Sequence, residues 1–262
     1  MRTLGSFLFS AAAAAFLLYC PTPMQAQTAH DPVDRERRFA RHFSDNPPLH
    51  FEVEEHGEHG PRVIITNLYQ YLLTAYVVQS EPKSAGDPPQ TLIGDALSRL
   101  ALPASIPRGL SYATGLPHVE GGLAPDAKLV AAVWEDGSTF GPDELLLRIY
   151  NRRKALADSY DLAIATLQTG LEKNWSVQEY LATAEKLRPP MPQPPPATIE
   201  DAKAVSESFT AALLPGRTIT DNMQHAIQHD YSLAQVSRLA QALVRDFQQS
   251  RDALRQALVG TS

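Results

Sequence analysis

The sequence predicts an α+β protein, with an antiparallel β-sandwich over residues 49–141 and an α-helical hairpin or bundle over 142–262. Three observations carry this. Between Leu49 and Phe140, short apolar runs of period two are separated by turn clusters, and no long helix interrupts them. From Gly141 onward the apolar period becomes three and four. The change falls inside one stretch, Ala127–Leu147 (AKLVAAVWEDGSTFGPDELLL), where strand, tight turn, returning strand and helix start follow one another without a spacer.

Residues 1–26 read as a secretory signal peptide. Arg2 supplies the positive charge, and Leu4–Leu18 is uncharged and contains the run Ala11–Ala15. An apolar run of about 15 residues is short of the roughly 20 needed to cross a bilayer, so cleavage is expected, with a processing site after Ala26. Met24 is a poor residue at −3, which leaves the exact bond open. Cys20 is the only cysteine, and Tyr19 beside it is too bulky for a lipoprotein signal. Cleavage after Ala26 would leave a chain without thiol chemistry or thiolate metal sites. Residues 1–26 hold one arginine and no acid, so the remainder carries 22 basic residues (23 less Arg2) against 29 acidic, a net charge of −7. That balance argues against nucleic acid as a partner.

Residues 27–48 read as an irregular N-terminal arm, with a short helix conceivable at 33–43 that puts Phe39 and Phe43 on one side. In Leu49–Glu54 apolar and polar residues alternate, as in a half-exposed strand. Glu55–Gly60 is a turn. Arg62–Thr66 and Leu72–Gln79 are rich in β-branched and aromatic residues. Ser80–Pro89 is a loop. Residues 91–97 read as a strand with a bulge at Gly94. A proline-then-glycine turn (PASIPRG) enters a strand at Leu110–Thr114. Pro117–Pro125 is a loop, Lys128–Trp134 a strand, Asp136-Gly137 a hairpin turn and Ser138–Phe140 the return.

The stretches VIITNLYQYLLTAYVV, SIPRGLSYATGLP and LVAAVWEDGSTFG resemble Ig-like and fibronectin-like domains. They are similar in particular to uncharacterised exported bacterial proteins in which such a sandwich precedes a helical region. The resemblance covers residues 48–141. It implies an Ig-like sandwich and an exported, periplasmic or extracellular protein, and it brings no active site.

In the helical half, Gly141 suits an N-cap and Pro142 the first helical position, and Asp143 and Glu144 suit the positive end of the helix dipole. Leu146, Ile149, Leu156, Tyr160, Ala163 and Leu167 recur at helical spacing, broken only by Arg153. The helix should run about 28 residues, roughly 42 Å. Ser176–Glu179 is a capping box opening a helix to about Leu187. Residues 189–196 (PPMPQPPP) form a proline-rich linker of extended polyproline character. Thr198–Leu214 is helical and ends at Pro215-Gly216, and Thr220–Asp230 is helical with Met223 and Ile227 inward. Ser232–Gln235 is a second capping box, after which Leu233, Val236, Ala240, Leu243, Phe247 and Leu254 form an apolar stripe. The two long helices are expected to pack antiparallel.

No motif assigns a catalytic residue. His225 and His229 share a helix face, but Ala226 stands where a zinc-protease helix has glutamate. Exposed polar-face histidines are the simpler reading. His56 and His59, in the acid-rich turn Glu54–His59, are weak metal candidates that read more simply as a solvated loop. Ser111, Ser138 and His118 lack a nucleophile elbow. Trp134-Glu135-Asp136 juxtaposes acids and an aromatic, yet neighbouring strand residues face opposite ways, so a surface turn is expected. There is no GxGxxG or P-loop, and no cofactor is expected. The favoured function is an exported non-enzymatic binding or envelope-structural protein, its partner another envelope or secreted protein, with no stable membrane insertion after signal cleavage. The alternatives are a hydrolase or metal-dependent enzyme with a site between sandwich and helices, using His118 or the His225/His229 pair, and an adaptor that binds proteins through residues 189–196.

Overall fold

The apolar runs found between Leu49 and Phe140 form two β-sheets, and the helical half packs on one of them. The computed structural model describes residues 41–54, 62–80, 90–98, 104–115, 127–187, 206 and 208–259. Residues 1–26, read as a signal peptide and including Cys20, the stretch 27–40, His56, His59, His118 and the proline-rich stretch 189–196 lie outside the described residues. Phe39–Ser262 belongs to one compact unit.

The strands are β1 (His42–Phe43), β2 (Leu49–Glu54), β3 (Arg62–Asn67), β4 (Leu73–Ser80), β5 (Gln90–Asp95), β6 (Ser111–Gly115), β7 (Lys128–Trp134) and β8 (Thr139–Phe140). One sheet has the order β2-β3-β6, and the other the order β1-β8-β7-β4-β5. All pairings are antiparallel except β1 with β8, where His42 meets Thr139 and Phe43 meets Phe140. β1 falls within the stretch read as an irregular arm, and residues 42–43 are extended, not helical. Phe43 joins the sandwich core through edge-on contacts with Tyr69 and Trp134, both at 5.4 Å.

The larger sheet is covered on both faces. Tyr76, Val78, Ala132 and Trp134 point to the smaller sheet, where Val63 and Ile65 meet them. Ala75, Val77, Ile93, Ala131 and Val133 point the other way and pack against a helix. This explains why β4 reads as a nearly continuous apolar run, where a strand with one wet face would alternate. Gly94 does not mark a bulge, for β4 and β5 pair without a shift there. Its missing side chain makes room for the Tyr76 ring, which a Cβ would meet at under 3.0 Å.

The helices are α1 (Asp143–Glu172), α2 (Val177–Ala184), α3 (Leu214–Gln228) and α4 (Leu233–Val259), with a further helical stretch at 208–212. α1 starts one residue later than expected. Pro142 is the N-cap, and Gly141 sits outside it at φ 101°, a conformation that glycine adopts cheaply. A Cβ there would run into the Val130 carbonyl and Ala131, so the chain can turn tightly off β8 only at a glycine.

α1 serves two cores. Leu145, Leu146 and Ile149 cover the large sheet, each contributing about 1.5–3 kcal/mol by burial. Leu156, Tyr160, Ala163, Ile164 and Leu167 belong to the helical core with Ile219, Met223, Ala240 and Phe247. α4 lies along α1, and Asp161 of α1 pairs with Arg251 and Arg255 of α4.

Three further sequence expectations change. Pro215-Gly216 does not stop a helix. Pro215 sits in the first turn of α3, where its missing N–H costs nothing, and only Leu213 interrupts the helical path. Ile227 and Leu233 are expected inward, but they are 44% and 51% exposed, at the two ends of the α3–α4 turn. At Ser232 only half of a capping box forms. Its N–H and hydroxyl both donate to Gln235 Oε1, at 2.8 Å each.

Candidate functional site

Among the described residues, an open concavity lies between the end of α2 and the start of α3. α2 is fixed by its capping box. Ser176 N donates to Glu179 Oε2 at 2.7 Å, and Glu179 N donates to Ser176 Oγ at 3.4 Å. The backbone N–H and then the hydroxyl of Ser176 hold the Glu179 carboxyl below its usual range. Tyr180 seats this helix on α1 against Gly170, a position where any Cβ would collide with its ring. Burial pushes the Tyr180 phenol up to about 12.

α3 approaches α2 through Gly216, where a Cβ would lie 3.4 Å from the Ala184 carbonyl and 3.5 Å from Leu187. Ser159 of α1 donates to the Ala212 carbonyl and fixes the stretch before α3. The result is a groove of about 480 Å³. Ala184, Leu187, Phe209 and Leu213 line it with apolar surface, and Glu185, Arg217 and Asp221 bring charges of both signs. That size and mixture suit a small organic molecule with an apolar body and polar ends.

Comparison with protein-family models, with curated proteins and with solved structures returns no match. The assignment of a role therefore rests on geometry alone.

Of the residues singled out from sequence, His225 and His229 are brought together. They are exposed on α3 with ring centroids 4.2 Å apart. Among the described residues, no group of three or more His, Cys, Asp or Glu is placed to hold a metal ion. Ser111 Oγ lies 2.7 Å from Thr66 Oγ1 on the exposed face of the small sheet.

Trp134, Asp136 and Ser138 are drawn into a structural network. Trp134 is buried, and its indole N–H donates to Asn67 Oδ1 at 3.2 Å. Asn67 also accepts from Tyr69 N and donates to the carbonyls of Tyr71 and Ile106, so all four of its hydrogen-bonding positions are used. Asp136 accepts from Ser138 N at 3.0 Å, Ser138 Oγ at 2.9 Å and Tyr69 Oη at 3.3 Å. Ser138 Oγ in turn accepts from Arg41 N at 3.1 Å. These groups close the β7–β8 hairpin and hold β1 to it. Asp136 is thus more than part of a surface turn, since it organises the hairpin from within.

Arg153, the break in the apolar series of α1, is fully buried. It forms a two-pronged pair with Asp95: Nε to Oδ2 at 3.1 Å and Nη2 to Oδ1 at 3.0 Å. Its Nη2 also reaches Thr74 Oγ1 at 3.1 Å, and Thr74 donates to the Val133 carbonyl. Arg152 donates to Ser98 at 3.1 Å. The pair lies where the two cores of α1 meet. A buried ion pair contributes little net stability but fixes which residue of the helix meets which strand.

Sequence reasoning missed the groove because its walls are set by tertiary packing. The one local signal was Pro215-Gly216, at the start of the helix that forms one wall.

Proposed function

We propose that the protein is an exported, non-enzymatic binding module that takes a small ligand in the groove between α2 and α3. The observation that carries this is the groove itself, with an apolar lining of Ala184, Leu187, Phe209 and Leu213 beside Arg217 and two carboxylates. Its volume falls within the range of small-molecule sites. Export is argued from the charged start and uncharged run of residues 2–18. The two sheets are read as an Ig-like sandwich. The orders β2-β3-β6 and β8-β7-β4 support this reading, as they correspond to the A-B-E and G-F-C sheets of that architecture. In this reading the sandwich is a rigid platform, and the helical layer on its far face carries the ligand.

The test uses the purified chain incubated with small-molecule extract and examined by native mass spectrometry and thermal melting. The expected result is a mass adduct and a raised Tm in the wild type, both lost in Thr220→Trp, which fills the groove. An adduct that survives this substitution places the ligand elsewhere. Saturable turnover of any extract component defeats the non-enzymatic reading.

A further inference from the structure

The HAIQH run on α3 carries a site that the groove does not use. On an α-helix, residues four apart share a face, and here His225 and His229 place their rings 4.2 Å apart at an interplanar angle of 51°. Both side chains are exposed.

With a metal–nitrogen bond of about 2.0 Å an ion sits about 3.2 Å from each ring centre, so rings 4.2 Å apart lie within reach of one ion. For imidazole ligands with water in the remaining positions, copper(II) heads the divalent affinity series.

Two further features favour a cation at this place. His225 lies in the last turn of α3 and His229 is its C-cap, where the helix dipole presents its negative end. The turn beyond is also tightly made. Asp230 adopts φ 50°, its N–H bonds to the Ile227 carbonyl at 3.2 Å, and Tyr231 N bonds to the Ala226 carbonyl at 3.0 Å. This pattern of two bonds closing over a left-handed residue is a Schellman motif. It returns the Tyr231 ring against the pair, edge-on to His225 at 5.9 Å and tilted to His229 at 6.4 Å. The histidines are thereby held on three sides, by the helix, by each other and by the tyrosine, which lowers the ordering cost of chelation.

We infer that His225 and His229 form a two-imidazole chelate for copper(II) on the surface of α3, with water completing the tetragonal coordination. This site is separate from the groove.

The test is titration of the full chain with copper(II) at neutral pH, followed by electron paramagnetic resonance and calorimetry. The expected result is a tetragonal spectrum with hyperfine coupling to two nitrogens at one ion per chain. His225→Gln and His229→Gln should each weaken binding at least tenfold and leave one coupled nitrogen. Both positions are exposed, so each variant should keep the wild-type melting curve in the absence of metal. Copper that binds unchanged in either variant overturns the assignment, because the ion then sits on other histidines or at the chain terminus. A zinc(II) affinity above that for copper(II) also overturns it, since a two-imidazole chelate with water follows the divalent series that copper(II) heads.

Discussion

Arg153 shows how much one residue can fix when its partner is distant in the chain. Both Arg153 and Asp95 are fully shielded from water, and 58 positions separate them. From sequence Arg153 is only a flaw in an apolar stripe, because nothing local points to Asp95. Removing one partner leaves a buried, uncompensated charge. Arg153→Ala should therefore cost about 3–5 kcal/mol, read as a lower urea midpoint at constant m. The double change Arg153→Met with Asp95→Leu should recover most or all of that loss, because an apolar pair avoids the desolvation penalty. If the double variant is as unstable as Arg153→Ala, the pair is a true source of stability. Asn67 is similarly unreadable from sequence, since its four bonds reach Tyr69, Tyr71, Ile106 and Trp134. Asn67→Ala would orphan the Trp134 indole N–H, among other groups, at about 1–3 kcal/mol per group. Loss of the near-ultraviolet circular dichroism of Trp134 would mark it.

At the scale of elements, β2 was legible because half-burial writes itself as alternation, β4 because two covered faces write a continuous apolar run, and α1 because its buried residues keep helical spacing. β1 was not, because two residues hold too little pattern and its partner β8 lies 97 positions away. The junction at Gly141 can be tested against a second glycine of positive φ. Gly109 has φ 76° and open space around it, while Gly141 has φ 101° and backbone within contact range. Gly109→Ala should cost about 1–2 kcal/mol from backbone strain alone. Gly141→Ala should cost about 1–3 kcal/mol more, because Val130 and Ala131 must move. Equal losses would show that the hairpin relaxes freely. The same junction should resist protease. Cleavage is expected within 189–196 or 80–90 before it occurs at 141, and early cutting at 141 would mean that α1 does not hold the large sheet.

The molecule as a whole should be sensitive to alkali. Burial raises the phenols of Tyr76, Tyr150 and Tyr180 above the ordinary value of 10.0, with Tyr180 at about 12. The folded state therefore holds these protons when the unfolded state has released them. Their contribution is complete below pH 10.0 and is lost as pH rises, for Tyr180 between 10.0 and about 12. Tm should fall steeply through that window, and Tyr180→Phe should fall less steeply. A wider consequence follows from the large sheet being covered on both faces. A chain made from its N-terminus completes the eight described strands before residue 145 exists. Until then Ala75, Val77, Ile93, Ala131 and Val133 form an open apolar surface, and Asp95 waits for Arg153 with no counter-charge. A fragment ending at 141 should therefore aggregate at concentrations where Phe39–Ser262 does not, and a fragment that folds and stays monodisperse would show that the two sheets do not need α1.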